Sequence, residues 1–163
     1  MMVSRSFGRI VTDIRELKQA VSSYTTQALE KLRKQGSLAQ RISVFLQTNR
    51  FSNNKEPYHN EISLDLPIAT DDTKQFLKLA LRGVEELYSP QKQYKKSGVV
   101  ITNISQKDSQ QMDLFYSKDD SKSEKVMEVL DKINTKMGQG TVRYAIEGFE
   151  KPWKTRSLYR SSW

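Results

Sequence analysis

The chain has 163 residues, 27 Lys/Arg against 19 Asp/Glu, one histidine and no cysteine, for a net charge of +8. That length supports one domain with a real core and a small appendage. The absence of cysteine excludes disulfides and thiolate zinc sites, and the lone His59 cannot build a metal cluster and reads as a surface residue. No run is long enough to span a membrane and no signal peptide leads the chain, so no membrane partner and a cytoplasmic location are expected. The positive charge is uneven: residues 1–50 carry nine Lys/Arg against three Asp/Glu, whereas residues 51–100 balance at seven each. Excess positive charge without a strongly apolar, basic-faced helix favours nucleic acid over an anionic lipid surface.

In chain order, Met1 to Gly8 reads as a linker or strand start, and Arg9 to Thr12 as a short strand. Asp13 and Glu16 have the spacing of a capping pair. A helix follows with Ile14, Leu17, Val21, Tyr24, Ala28 and Leu32 on one face, and Gly36 supplies its stop. Arg41 to Arg50 alternates: Ile42, Val44 and Leu46 share one face, Arg41, Ser43, Phe45 and Gln47 the other. Glu61 to Leu66 alternates again and Pro67 is expected to end it. Asp71-Asp72 opens a second helix with Phe76, Leu79, Leu81 or Ala80, Val84 and Leu87 on its core face. Lys95 to Gly98 reads as a basic turn before a buried strand from Val99 to Ile104.

Two helices over one face of a four-stranded, mainly antiparallel sheet bury these stripes economically, so the fold class is α+β in the order β-α-β-β-α-β. The opposite sheet face is left polar and open. A polar hinge, Ser105 to Gln110, leads to the amphipathic peptide Gln111-Met112-Asp113-Leu114-Phe115. A polar spacer, Ser117 to Ser123, leads to a third helix with Val126, Val129, Leu130, Ile133 and Met137 on one side. Gly138 and Gly140 end it, and Thr141 to Ile146 is expected to be a last short strand. The tail from Lys151 to Trp163 is basic and aromatic, and Trp153 is expected to be packed.

Ser6-Phe7-Gly8-Arg9-Ile10-Val11-Thr12 and Lys95-Lys96-Ser97-Gly98-Val99, together with the element order, resemble the little finger domain of Y-family translesion DNA polymerases. The region after Phe115 resembles the extra C-terminal segment of the UmuC-like subclass, the catalytic subunit of polymerase V. The resemblance implies a division into a little finger over 4–105, a linker with a docking peptide over 106–120 and a C-terminal segment over 121–163 that stops short of its usual length. Little finger sheets lie across the major groove of primer–template DNA, so Arg9, Thr12, Arg41, Ser63, Lys95, Lys96 and Gly98 are the implied DNA contacts. Lys and Arg neutralise phosphates, and backbone beside a glycine can approach one closely. Glu61 and Asp65 depart from the pattern, because outward carboxylates beside phosphates are unfavourable unless paired.

Gln111, Met112, Asp113, Leu114 and Phe115 resemble the pentapeptide by which bacterial polymerases dock on the β sliding clamp. Gln supplies an orienting amide, while Met, Leu and Phe fill apolar pockets. The resemblance also implies contacts of the tail with processed UmuD and the RecA filament. Y-family catalysis uses palm carboxylates that hold metal ions; no palm is present, so no catalysis and no cofactor are expected of this chain, Mg2+ belonging to the palm of a longer parent. The pairs Asp71-Asp72 and Asp119-Asp120 read as helix-start residues. An RNA-binding module shares the β-α-β-β-α-β order but needs exposed aromatics on its central strands. A protein-only interaction module is the other alternative.

Overall fold

The computed structural model describes residues 1–49, 58–107 and 118–155. The elements are β1 (Met2–Val11), α1 (Ile14–Lys34), β2 (Ser37–Thr48), β3 (His59–Thr70), α2 (Thr73–Leu87), β4 (Tyr94–Gln106) and α3 (Lys118–Met137), with a 3-10 turn over Ala145–Glu147. The sheet order is β1-β4-β2-β3 and every neighbouring pair is antiparallel. β1 and β2 therefore run parallel with β4 between them, and β3 and β4 run parallel with β2 between them. Each β-α-β unit is split, and a strand of the other unit fills its gap. Crossovers of the usual hand place both helices on the same side of the sheet. There Val3, Phe7, Ile42, Val44, Leu46, Val99 and Ile101 meet Leu17, Val21, Tyr24, Phe76, Ala80 and Val84 in one core.

Three local readings change. Asp13 caps α1 by accepting the Arg15 N–H at 2.8 Å, while Glu16 leaves the cap and pairs with Arg9 at 2.5 Å. Pro67 lies inside β3, which tolerates it because β3 is an edge strand whose pairing shifts register between Ala39 and Arg41 of β2. Lys95 to Gly98 is strand in the middle of the sheet, not a turn. Tyr94 is fully buried and its hydroxyl accepts the Ser89 N–H at 2.8 Å, so pairing begins ahead of the two lysines.

The C-terminal part docks on the helical layer through polar anchors. Arg33 of α1 forks onto Asp131 of α3 at 2.6 and 2.9 Å and also donates to the Asp71 carbonyl and the Thr73 hydroxyl. Glu147 is buried, accepting from Ser23 at 3.2 Å, Thr26 at 3.1 Å and the Tyr144 N–H at 3.3 Å. Trp153 is packed as expected, edge-on to Phe7 and Tyr24, and its carbonyl accepts the Gly8 N–H at 2.9 Å. The expected strand over Thr141 to Ile146 does not form. The Asn134 amide takes both the N–H and the carbonyl of Val142, and the residues after it close a turn onto α1, so no sheet edge meets them.

Candidate nucleic-acid interface

The side chains that alternate away from the core form the outer sheet face, and no described helix packs on it. Register lines them up in rows across the strands. Ser6, Lys96, Gln47 and His59 share one row, and Ser4, Gly98, Phe45 and Glu61 the next. Val100, Ser43 and Ser63 follow, and Thr102, Arg41 and Asp65 lie beyond them.

At the Lys96 end both partners of β4 slip. Gln47 and Thr48 of β2 face Lys96 and Tyr94, so Lys95 is an extra, bulged residue. On the other side β1 passes from Ser6 opposite Lys96 to Val11 opposite Tyr94, so Phe7 to Ile10 loop out beside the same point. Arg9 sits in that loop, and Thr12 is exposed just past the strand. Bulges at the rim of a sheet re-aim side chains, and here they gather Arg9, Lys95 and Lys96 at one end. Among the described residues, Lys95 and Lys96 have no carboxylate partner, whereas Arg9 is held by Glu16.

At the far end Arg41 forks onto Asp65 at 2.7 and 2.9 Å. These hydrogen bonds hold the Asp65 carboxyl below its ordinary range and push the Arg41 guanidinium up. Both groups are exposed, and such a pair is worth little in water, so either side can be drawn away. Ser63 shares a 2.6 Å hydrogen bond with Ser43. Glu61 has no basic partner among the described residues. The rows of Lys96 and Arg41 are six β2 residues apart, a separation of about 20 Å.

The centre of the face is packed. A methyl group at Gly98 would lie 2.4 Å from Ser4 Cβ and 2.7 Å from the Phe45 ring, so the ring occupies the space a side chain would take. Phe45 points outward as read from the alternation, yet only 5% of it is accessible, with His59 beside it and Lys96 Nζ 6.0 Å from its ring centre. Ser4 and this cross-strand ring together require glycine at 98.

Of the acidic pairs, Asp72 caps α2 by accepting the Lys74 N–H at 2.8 Å, and Asp71 lies 3.6 Å from Lys107. Asp119 and Asp120 fall within the first turn of α3 rather than before it. Among the described residues no group of three His, Cys, Asp or Glu side chains is placed to hold a metal. No described helix is long and apolar enough to cross a membrane. Gln111 to Phe115 and the tail beyond Thr155 lie outside the described residues.

A model of the C-terminal domain of the impB/mucB/samB family matches residues 1–114. The chain belongs to that family. A second model, a domain of unknown function (DUF4113), matches residues 124–162. The UmuC protein of Salmonella typhimurium is 35% identical over 157 residues, which cover 94% of this chain and 36% of that protein. The MucB protein of Escherichia coli is 33% identical over 157 residues, covering 96% of this chain and 37% of that protein. The chain thus spans little more than a third of the length of these relatives. Among solved structures, an insertion ternary complex of Dbh DNA polymerase shares the fold over 65% of this chain and 29% of that one, with a TM-score of 0.51 at 14% identity. The four-stranded antiparallel sheet with two helices on one face is the α+β fold that the sequence resemblance implied.

In this impB/mucB/samB domain, the fold brings Arg9, Thr12, Lys95 and Lys96 to one end of the face and Arg41 and Ser63 towards the other. Sequence reasoning missed Ser4, Ser6 and Gln47, which put two hydroxyls and an amide beside Lys96 and Gly98. The signal was present: Val3 and Phe7 face the core and Ser4 and Ser6 alternate with them, which marks a strand beginning at Met2.

Proposed function

We propose that this chain is the non-catalytic C-terminal part of a UmuC-like translesion DNA polymerase, acting in the DNA-damage response by gripping duplex DNA and docking on the β sliding clamp. The observation that carries the grip is the open outer face with cationic groups at two ends about 20 Å apart. That span exceeds the width of the major groove of B-DNA, about 12 Å, so Lys95, Lys96 and Arg9 reach one phosphate backbone while Arg41 reaches the other. Contacts to phosphate position a duplex without reading its sequence, which suits a polymerase that accepts damaged templates. Pairing with Arg41 answers the objection for Asp65 but not for Glu61, and Arg41 has to be drawn from Asp65 to meet a phosphate. Clamp docking rests on the sequence of Gln111 to Phe115, and contacts of the tail with processed UmuD and RecA on the resemblance alone. In the parent, metal ions for nucleotidyl transfer belong to the palm.

The RNA-module alternative loses its stacking platform. On the central strands β2 and β4, Phe45 is the outward aromatic among the described residues, and it is covered. Titration of duplex DNA, single-stranded DNA and RNA at several salt concentrations tests the reading. Neutralising about four phosphates gives a slope of log affinity against log salt near −3.6. Lys95→Ala with Lys96→Ala flattens that slope by about two phosphate equivalents and weakens all sequences alike, and Asp65→Asn strengthens binding by freeing Arg41. Equal affinity of wild type and the lysine double variant for duplex at low salt refutes the assigned face.

A further inference from the structure

The third helix is docked inside out. The side it turns to the domain is mostly polar: Glu124 pairs with Lys107, Asp131 with Arg33, and Asn134 with Val142, with Met127 buried between them. Its apolar row faces solvent. Val126 is 58% exposed, Val129 55% and Met137 70%, with Ile133 half-buried in the same row. From Val126 to Met137 the row runs about 16 Å along the helix axis. Contiguous apolar surface on a helix otherwise held by specific polar bonds marks a surface that another chain covers. Along one flank, by helical geometry, run Lys125, Lys132 and Lys136. Lys132 pairs with Glu128, and the other two have no carboxylate partner among the described residues.

We propose that the Val126–Met137 face of α3 binds an amphipathic, acidic helix of a partner protein. The straight apolar row matches the ridge of a packed helix, and the lysine flank selects carboxylates beside that ridge. Nucleic acid would use the lysines and leave the valines and methionine wet. A second copy of this chain brings the same lysine flank and a net charge of +8, and like charges repel.

The probe is a helical peptide roughly three heptads long, with leucine at a and d and glutamate at e and g, titrated against the full chain beside a twin carrying lysine in place of glutamate. The glutamate peptide binds at least about tenfold more tightly than the lysine peptide, and the preference shrinks as salt is raised. Val126→Asp with Val129→Asp removes at least about tenfold of that affinity and leaves the melting temperature in place, because both side chains are exposed. Lys125→Glu with Lys136→Glu reverses the preference to the lysine peptide, which a misfolded variant does not do. Equal binding of both peptides, or none, overturns the proposal. So does self-association of the wild type that Val129→Asp abolishes, which assigns the face to a second copy. Binding that appears only after residues 156–163 are removed overturns it in favour of the chain's own tail.

Discussion

Replacing Trp153 by Ala tests whether the C-terminal part is a working piece of the domain. A buried indole removes about 150–250 Å² from water, worth roughly 4–6 kcal/mol at about 25 cal/mol per Å². Its Nε1–H is buried without a partner, which takes back about 1–3 kcal/mol. The net contribution lies within about 1–5 kcal/mol, and its central part, about 2–4 kcal/mol, overlaps the measured Trp-to-Ala losses in cores of about 3–5 kcal/mol. The Gly8 N–H reports on it directly, because its acceptor is the Trp153 carbonyl at 2.9 Å. In Trp153→Ala, exchange of that amide speeds up about 30- to 1000-fold, following the lost free energy of local opening. Thermal unfolding shifts down by roughly 5–15 °C if segment and sheet melt together. Trp153→Phe keeps the edge-on contacts with Phe7 and Tyr24 and drops the orphaned N–H, so it stays within about 1 kcal/mol of wild type. Unchanged Gly8 exchange in Trp153→Ala refutes the docking.

Leu114→Ala with Phe115→Ala lowers affinity for purified β clamp at least about thirtyfold and leaves melting and DNA binding intact; a melt several degrees lower would mean the peptide covers this chain's own core. The Tyr24 hydroxyl is buried without a partner and burial pushes its pKa up to about 12, so Tyr24→Phe is neutral or stabilising by up to about 1 kcal/mol, and a larger loss in a urea melt refutes the orphaned state. Gly98→Ala drives a methyl into Ser4 and the Phe45 ring and costs about 1–3 kcal/mol; in a Phe45→Ala background part of that cost vanishes, and a full additive loss would show that the ring is not the obstacle.

Sequence alone determined the β-α-β-β-α-β order of the sheet domain, the α+β class and the core stripes of α1, β2 and α2, because burial period is written within a window of a dozen residues. Asp72 as a helix cap and the outward set Arg41, Phe45 and Ser63 were legible for the same reason. Tertiary structure decided what depends on residues far apart in the chain. The sheet order follows from each split unit admitting the other's strand, which no local pattern states. Gly98 leaves room for Ser4 and the Phe45 ring across the strands, and Arg41 comes to the face already paired with Asp65. The apolar row of α3 has a clean helical period, yet period alone does not say which way a helix turns. Its orientation was set by Arg33 and Val142, since largely buried ionic and amide groups must be paired whereas exposed valines cost little until a partner covers them.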